Sequence, residues 1–306
     1  MISETPDVFC VADMCVDLVL SGNVRPRFNQ VEQLIDNYVI ELGGSANIFA
    51  SQFVKLGGRA GVIGWVGKDA FGQFVLERLQ TIGVDVSLVG YHPHLRTGLG
   101  VALAESNDRA ILTYVGTIDA VQPSELPDDL LSAGRHWHIA SYFLLNHLRD
   151  HWTNWLKRCK EKGLTTSLDT NWDPENRWVG VIEMLPLIDV FLPNETEALA
   201  LTGQANVTRA GEKLASRGQL VIIKRGSEGA IAFRGNQSWQ VLPRDSPDHP
   251  VTIVDTIGAG DNFDAGFLRA WLLNRDIDQC LRLACHCAVA SLRVAGGIEG
   301  QLCGAV

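Results

Sequence analysis

Positive charge is in short supply in this chain. Its 306 residues hold 26 Lys and Arg against 35 Asp and Glu, a formal net charge of −9 at pH 7. With a sequence pI near 5.4, the chain lacks the basic field that holds nucleic acid or an anionic membrane surface. An anionic nucleotide stays possible, because a local glycine turn can bind one on an acidic protein. Long apolar runs are missing as well, so no membrane span is expected. The start, with Glu4 and Asp7, has no basic segment followed by an apolar run, and a soluble cytoplasmic protein is expected. Cysteine is scarce and unorganised: seven, an odd number, without a spacing framework. In the densest group, Cys280, Cys285, His286 and Cys287, adjacent helical positions diverge, so Cys285 and Cys287 do not share a face. Leu281, Leu283, Ala284, Ala288 and Leu292 surround them, which predicts buried helix cysteines and no metal held by cysteine. A Walker A loop is absent, since Gly67-Lys68 has Val62 before it and Asp69 after it, and a protein-kinase His-Arg-Asp loop is absent too. Internal repeats, low-complexity segments and long linkers are also missing.

The chain is organised around Asp255-Thr256-Ile257-Gly258-Ala259-Gly260-Asp261-Asn262-Phe263. Val251, Ile253 and Val254 before it carry a strand signature. Phe263, Phe267 and Trp271 recur every fourth residue after it, with Leu268 and Leu272 beside them, which predicts a largely buried helix. Strand, glycine turn and helix start place free N–H groups and a helix dipole where an anion can sit. Gly258 and Gly260 let that backbone come close to another molecule. Asp261 beside such a site either caps the helix or accepts the proton of a hydroxyl that attacks a phosphoryl group.

Taken in order, the chain alternates strand and helix, as in a mainly parallel α/β sheet. The 46% hydrophobic content suffices for one large domain or two smaller ones. Val8 to Val19 reads as a first strand with Asp13 and Asp17 on one face, either partnered inside or at a solvated end. Residues 18–41 have loop and strand character, and Thr97 to Gly116 reads as two strands around Ser106-Asn107-Asp108. Gly43 and Gly44 open a helix in which Ile48, Phe49, Phe53 and Leu56 share a face. Asp169 and Asn171 follow a strand, where open α/β sheets place ligands, or else they cap a loop. Asn194 and Glu197 have the spacing of a capping box and also address one point. Lys224 ends the strand run Leu220 to Ile223 before Gly226, either in a surface ion pair or facing a ligand.

The stretch D-T-I-G-A-G-D-N-F resembles the C-terminal signature of the PfkB (ribokinase-like) family of sugar and nucleoside kinases, and four further segments resemble family motifs in the same order. The resemblance implies one α/β domain over 1–306, a three-layer sandwich with a mainly parallel sheet. A small discontinuous β lid would come from about 18–41 and 96–116. It implies ATP-dependent phosphorylation of a hydroxyl on a small sugar, with Asp261 as base and Gly258, Ala259 and Gly260 as anion hole. It places Asp17, Asp13, Gly43, Gly44 and Asn47 on the sugar side, and Asn194, Glu197, Lys224, Gly226 and Thr256 on the nucleotide and Mg²⁺ side. Glu197 would hold Mg²⁺ through water, and a monovalent cation such as K⁺ and a homodimer through the lid are also implied. Arg109 stands where relatives often carry arginine. Ile48 and His286 replace family asparagines, and Ala12 a glycine. A nucleoside or sugar acid as acceptor, or a ligand-binding relative without catalysis, are the competing readings. The helix N-terminus is expected to lower the pKa of Asp261, which a loose transition state tolerates.

Overall fold

The first apolar run breaks in two. In the computed structural model, which describes residues 6–104, 109–216, 218–243 and 252–305, β1 (Val8–Val11) and β2 (Cys15–Ser21) belong to different sheets. Asp13 lies in the connection and Asp17 within β2, so the two acids do not share the face of one strand. The Ser106–Asp108 turn, Val251 and the side chain of Arg109 lie outside the described residues.

The large sheet also contains β4 (Ala60–Gly67), β5 (Asp85–His92), β8 (His136–Ile139), β9 (Thr165–Leu168), β10 (Val190–Phe191), β11 (Leu220–Lys224), β12 (Ala230–Arg234) and β13 (Gln237–Val241). Its nine strands run β13-β12-β11-β10-β9-β8-β1-β4-β5. All pairs are parallel except β11–β12 and β12–β13. The helices are α1 (Ser45–Lys55), α2 (Ala70–Ile82), α3 (Leu130–Ala133), α4 (Asn146–Arg149), α5 (Trp152–Glu161), α6 (Val181–Met184), α7 (Glu195–Thr202), α8 (Val207–Ala215), α9 (Ala259–Leu272) and α10 (Ile277–Ser291). Strands buried on both faces read as continuous apolar runs, and β1 is buried at every position. Val8 and Cys10 join Phe49, Phe53, Phe267 and Leu281 in one core. Phe9 and Val11 join Trp137, Trp155 and Leu214 in another. The alternation of side chains along β1 thus feeds two helix layers, one on each side of the sheet.

Strand order reverses between β1 and β8. The carboxyl ends of parallel strands at such a switch point frame a crevice for ligands. A second sheet, β3-β2-β6-β7, is built from β3 (Asn37–Gly43), β6 (Gly98–Ala104), β7 (Arg109–Tyr114) and β2. The strand expected ahead of the glycine turn is not formed in residues 252–254. Ile253 and Val254 are exposed and pair with no strand among the described residues; the Val254 N–H donates to Leu292 O at 2.8 Å. No helix among the described residues is long and apolar enough to cross a membrane.

Candidate active site

The glycine turn is fixed from both sides. Gly258 has φ 72°, and a Cβ there would stand 2.9 Å from Gly297 Cα and 3.0 Å from Ile48 Cγ2, so only glycine fits. Asp255 accepts from Ile257 N and Gly296 N, both at 3.0 Å. Asn262 donates to Gly258 O at 2.9 Å and Gly297 O at 2.8 Å, and its Oδ1 accepts from Gln301 Nε2 at 2.8 Å. Helical bonding in α9 starts with Asn262 N to Gly258 O at 2.9 Å. The Ala259 amide reaches Thr256 O only at 3.4 Å, and with the amides of Gly260 and Asp261 it belongs to the first turn of the helix. Ile48 packs under the turn with Val19, Ala102 and Ile257. Its apolar side chain braces Gly258 and Gly297, a packing task in place of a polar contact.

Asp13 links the two strands at the switch point. Its Oδ2 accepts from Ser141 Oγ, just after β8, at 2.7 Å and from Ser45 N at 2.9 Å; its Oδ1 accepts from Ala46 N at 3.1 Å. The buried carboxylate thus caps α1 from outside the helix, and both its oxygens are engaged by the chain. Burial raises its pKa despite those three donors. Gly44, at φ 87°, is the N-cap residue of α1. Asn47 Nδ2 donates to Gly43 O at 2.9 Å, while its Oδ1 is buried without a partner among the described residues. Asp17 is half-buried and pairs across the second sheet with Glu41 and Gly100. A Cβ on Gly43 or Gly100 would stand 2.6 or 2.5 Å from its Oδ1. The carboxylate lies over two glycines, beside the mouth of α1.

Asn171, at φ 54°, accepts from Ser141 N at 2.8 Å and donates to Ser45 Oγ at 3.0 Å. The Ser45 hydroxyl also favours the charged form of the Asp261 carboxylate. The ends of β1, β8 and β9, the start of α1 and the start of α9 are thereby one polar network.

Asp261 is buried, and its pKa is not lowered but pushed up to about 7. Burial dominates, the charges of Asp169 and Asp13 add to it, and Lys224 and Ser45 oppose it. The favourable field of the helix start is outweighed because the carboxylate has left water. Asp264, one turn further along α9, is buried too; burial and Asp169 hold its pKa well above the usual range against the pull of Lys224. Lys224 is not in a surface pair. Its Nζ stands 2.7 Å from Asp169 Oδ2 and 3.2 Å from each oxygen of Asp264, and these side chains are 12%, 3% and 1% exposed. Burial works against the ammonium, but Asp169, Asp264 and Glu197 hold its pKa above the usual lysine range.

On the other flank Asn194 and Glu197 form the capping box of α7. Glu197 N donates to Asn194 Oδ1 at 2.9 Å, and Asn194 N and Nδ2 donate to Glu197 at 2.8 and 2.6 Å. Burial first, then Asp169, push the Glu197 pKa up to about 7. Among the described residues no three His, Cys, Asp or Glu groups converge on a metal. A hard cation held by water and phosphate oxygens, with one carboxylate behind them, suits this arrangement, and the crowding of Glu197, Asp169 and Asp261 leaves the crevice short of positive charge. Gly226, at φ 55°, has open space around it, Thr256 is exposed and His286 is exposed on α10. Cys285 and Cys287 are buried, as expected. Asp264, Ser45 and Ser141 escaped sequence reasoning. An acid inside the apolar run Phe263 to Leu268 was the available signal for Asp264; the serines offered none. A cavity of about 420 Å³ bounded by Asp189, Gln219, Arg234 and Trp271 opens at the opposite ends of β10 and β11 and includes none of these groups.

This chain is similar to fructoselysine 6-kinase of Shigella flexneri, at 28% identity over 94% of this chain and 97% of that protein. It is also similar to a fructokinase of Klebsiella pneumoniae, at 30% identity over 86% and 84% of the two chains. The crystal structure of an E. coli ribokinase II in complex with ATP and Mg²⁺ matches with a TM-score of 0.85 and 26% identity, covering 97% of this chain and 96% of that one. The fold is therefore ribokinase-like. Residues 5–302 match the family described as pfkB family carbohydrate kinase, and the chain belongs to that family.

Proposed function

We propose that this kinase transfers the γ-phosphoryl group of ATP to a hydroxyl of a small sugar, with Asp261 as proton acceptor. The observation that carries the reading is a buried carboxylate with a pKa of about 7 directly after an open glycine turn at a helix start. A base poised near neutral pH is half ionised and strong enough to take a proton. The acceptor O–H gives its proton to an Asp261 oxygen while the acceptor oxygen bonds to Pγ. The bond from Pγ to the bridging oxygen breaks, and that oxygen leaves on ADP. The Gly258, Ala259 and Gly260 turn directs its amides at charge developing on the transferred group. Mg²⁺, when bound, neutralises phosphate charge; Glu197 would support it through water, beside Asn194. Lys224, whose Nζ lies 3.5 Å from where a Gly260 Cβ would stand, adds a fixed positive field at the turn. Gly226 and Thr256 complete the nucleotide side.

On the sugar side, Asp17, Gly43, Gly44 and Asn47, with Asp13 behind them, would position the acceptor. The second sheet, drawn from about 18–41 and 96–116 of a single 1–306 domain, serves as a lid that excludes water. The exposed side chains of Tyr38, Ile40, Ile111, Leu112 and Tyr114 on that sheet support pairing of two copies there. A monovalent cation such as K⁺ and a cytoplasmic setting belong to the same reading.

The test is a coupled ADP-release assay with Mg·ATP across sugars, sugar acids and nucleosides, with Asp261→Asn as control. Turnover of a sugar that the variant loses supports the proposal. Turnover confined to nucleosides or sugar acids moves the acceptor class, and silence across the panel with ATP still bound overturns catalysis.

A further inference from the structure

We infer that Lys224, Asp169 and Asp264 act as one positioning unit, in which a single buried ammonium clamps two carboxylates and holds Asp261 ready as the base. The inference rests on the proposed kinase function. Its geometry is specific. Strand order places β10 between β9 and β11, so Lys224, at the end of β11, reaches across the end of β10 to Asp169 just after β9. The bridge between Asn194 and Lys224 fixes the backbone from which it reaches. The same ammonium meets both oxygens of Asp264 at 3.2 Å, so Asp264 and Asp169 share one cation. Asp264 and Asp261 are three residues apart, on neighbouring turns of one face of α9. The clamp therefore pins the helix that presents the glycine turn and the base to the ends of two strands.

The unit is also the electrostatic setting of Asp261. The charged groups facing that carboxylate are Asp13 after β1, Asp169 after β9, Glu197 in α7, Lys224 in β11 and Asp264 in α9; from α1 comes only the hydroxyl of Ser45. Lys224 is the one cation among these neighbours. Burial alone would raise Asp169, but Lys224 and its hydrogen bonds keep it below the ordinary carboxylate range. A cation and an anion thus act on Asp261 with opposite signs from one cluster.

The opposition supplies the test. The acid limb of the kcat–pH profile is measured for the wild-type chain, Lys224→Met and Asp169→Asn, with Mg·ATP and the acceptor found in the panel. Removal of the cation is expected to move the limb up by about one pH unit or more, and to lower kcat at pH 7 about fivefold or more. Removal of the anion is expected to move the limb down. Lys224→Arg, which keeps the charge, should hold the limb within a few tenths of a unit of wild type. A merely structural role moves neither limb, or both the same way, and either result overturns the inference. If one variant does not fold, an unmoved limb in the other suffices to overturn it. Should no acceptor be turned over, the titration of ¹³C-labelled Asp261, assigned with Asp261→Asn, must show the same opposite shifts. The kinase reading then fails by itself, while the positioning unit stands or falls on that titration.

Discussion

Ser141 Oγ donates to Asp13 Oδ2 at 2.7 Å, joining the ends of the two neighbouring strands between which the order of the large sheet reverses. Asp13 is buried, so the loss of one donor leaves a carboxylate less well compensated than before. Ser141→Ala is expected to cost about 1–3 kcal/mol of stability, read from urea unfolding. An unchanged midpoint would show that the two amides at the start of α1 satisfy Asp13 alone.

Asp261→Asn should separate activity from stability. Turnover is expected to fall by about 10²-fold or more, with ATP binding retained. Because the folded pKa is raised from 3.8 to about 7, the unfolded chain gives up this proton first, and the carboxylate costs the fold stability as pH rises from about 4 to about 7. The advantage of Asn over Asp in unfolding free energy should therefore be larger at pH 8 than at pH 5, by on the order of 2 kcal/mol. Equal differences at the two pH values would place Asp261 in a more solvated setting.

Gly43→Ala and Gly100→Ala each set a methyl group against the carboxylate of Asp17. The obstructed atom is the end of a side chain, which can swing aside, so the fold should tolerate either change. The acceptor should not: KM for the sugar is expected to rise about tenfold or more with KM for ATP little changed, an effect equal to about 1.4 kcal/mol of binding. A rise in both constants would place Asp17 outside the acceptor site.

His136 and His138 share one face of β8, joined through Ser167 Oγ at 2.7 and 2.8 Å. Burial holds His136 well below its usual pKa and His138 down at about 3. Below about pH 6.5 the unfolded chain binds protons that the folded one refuses, so both residues withdraw stability as the pH falls and none above that value. Asp13, Glu197 and Asp261 work in the other direction. His138→Gln should flatten the loss of stability between pH 7.5 and 5.0 relative to wild type, measured by denaturant unfolding at each pH. An unaltered slope would count against the buried neutral imidazole.

The glycine turn and α9 were legible because their signals are local: two glycines at a required backbone shape, then apolar residues every fourth position. The capping box of Asn194 and Glu197 was legible for the same reason. The break between β1 and β2 was not, because both pieces have strand character and only their pairing partners, β4 and β8 for one, β3 and β6 for the other, decide where the run is cut. Ile253 and Val254 have strand propensity but no strand to bond among the described residues. The acidity of Asp261 was misjudged from its helix position alone. Asp13, Asp169 and Lys224, which surround it, come from three distant segments, and burial is a property of their assembly. Lys224 likewise gave no sign of its two carboxylates, one of them hidden within the apolar face of α9.

The seating of α9 on α1 bears on how the chain is made. Arg269 reaches Leu56 O at 3.1 Å and Gln52 reaches Leu302 O at 2.9 Å, across 213 and 250 residues of sequence. A chain emerging from the ribosome finishes β1, β4 and β5 early, with Phe49 and Phe53 of α1 still waiting for Phe267. Contacts so far apart in sequence form late. A chain ending at Gly258 should accordingly bind a hydrophobic dye that the full chain ignores; no dye binding would mean that α1 finds another cover. If the proposed roles hold, Asp17, Gly43 and Asn47 are made long before Asp261, and phosphoryl transfer would wait for about the last seventh of translation.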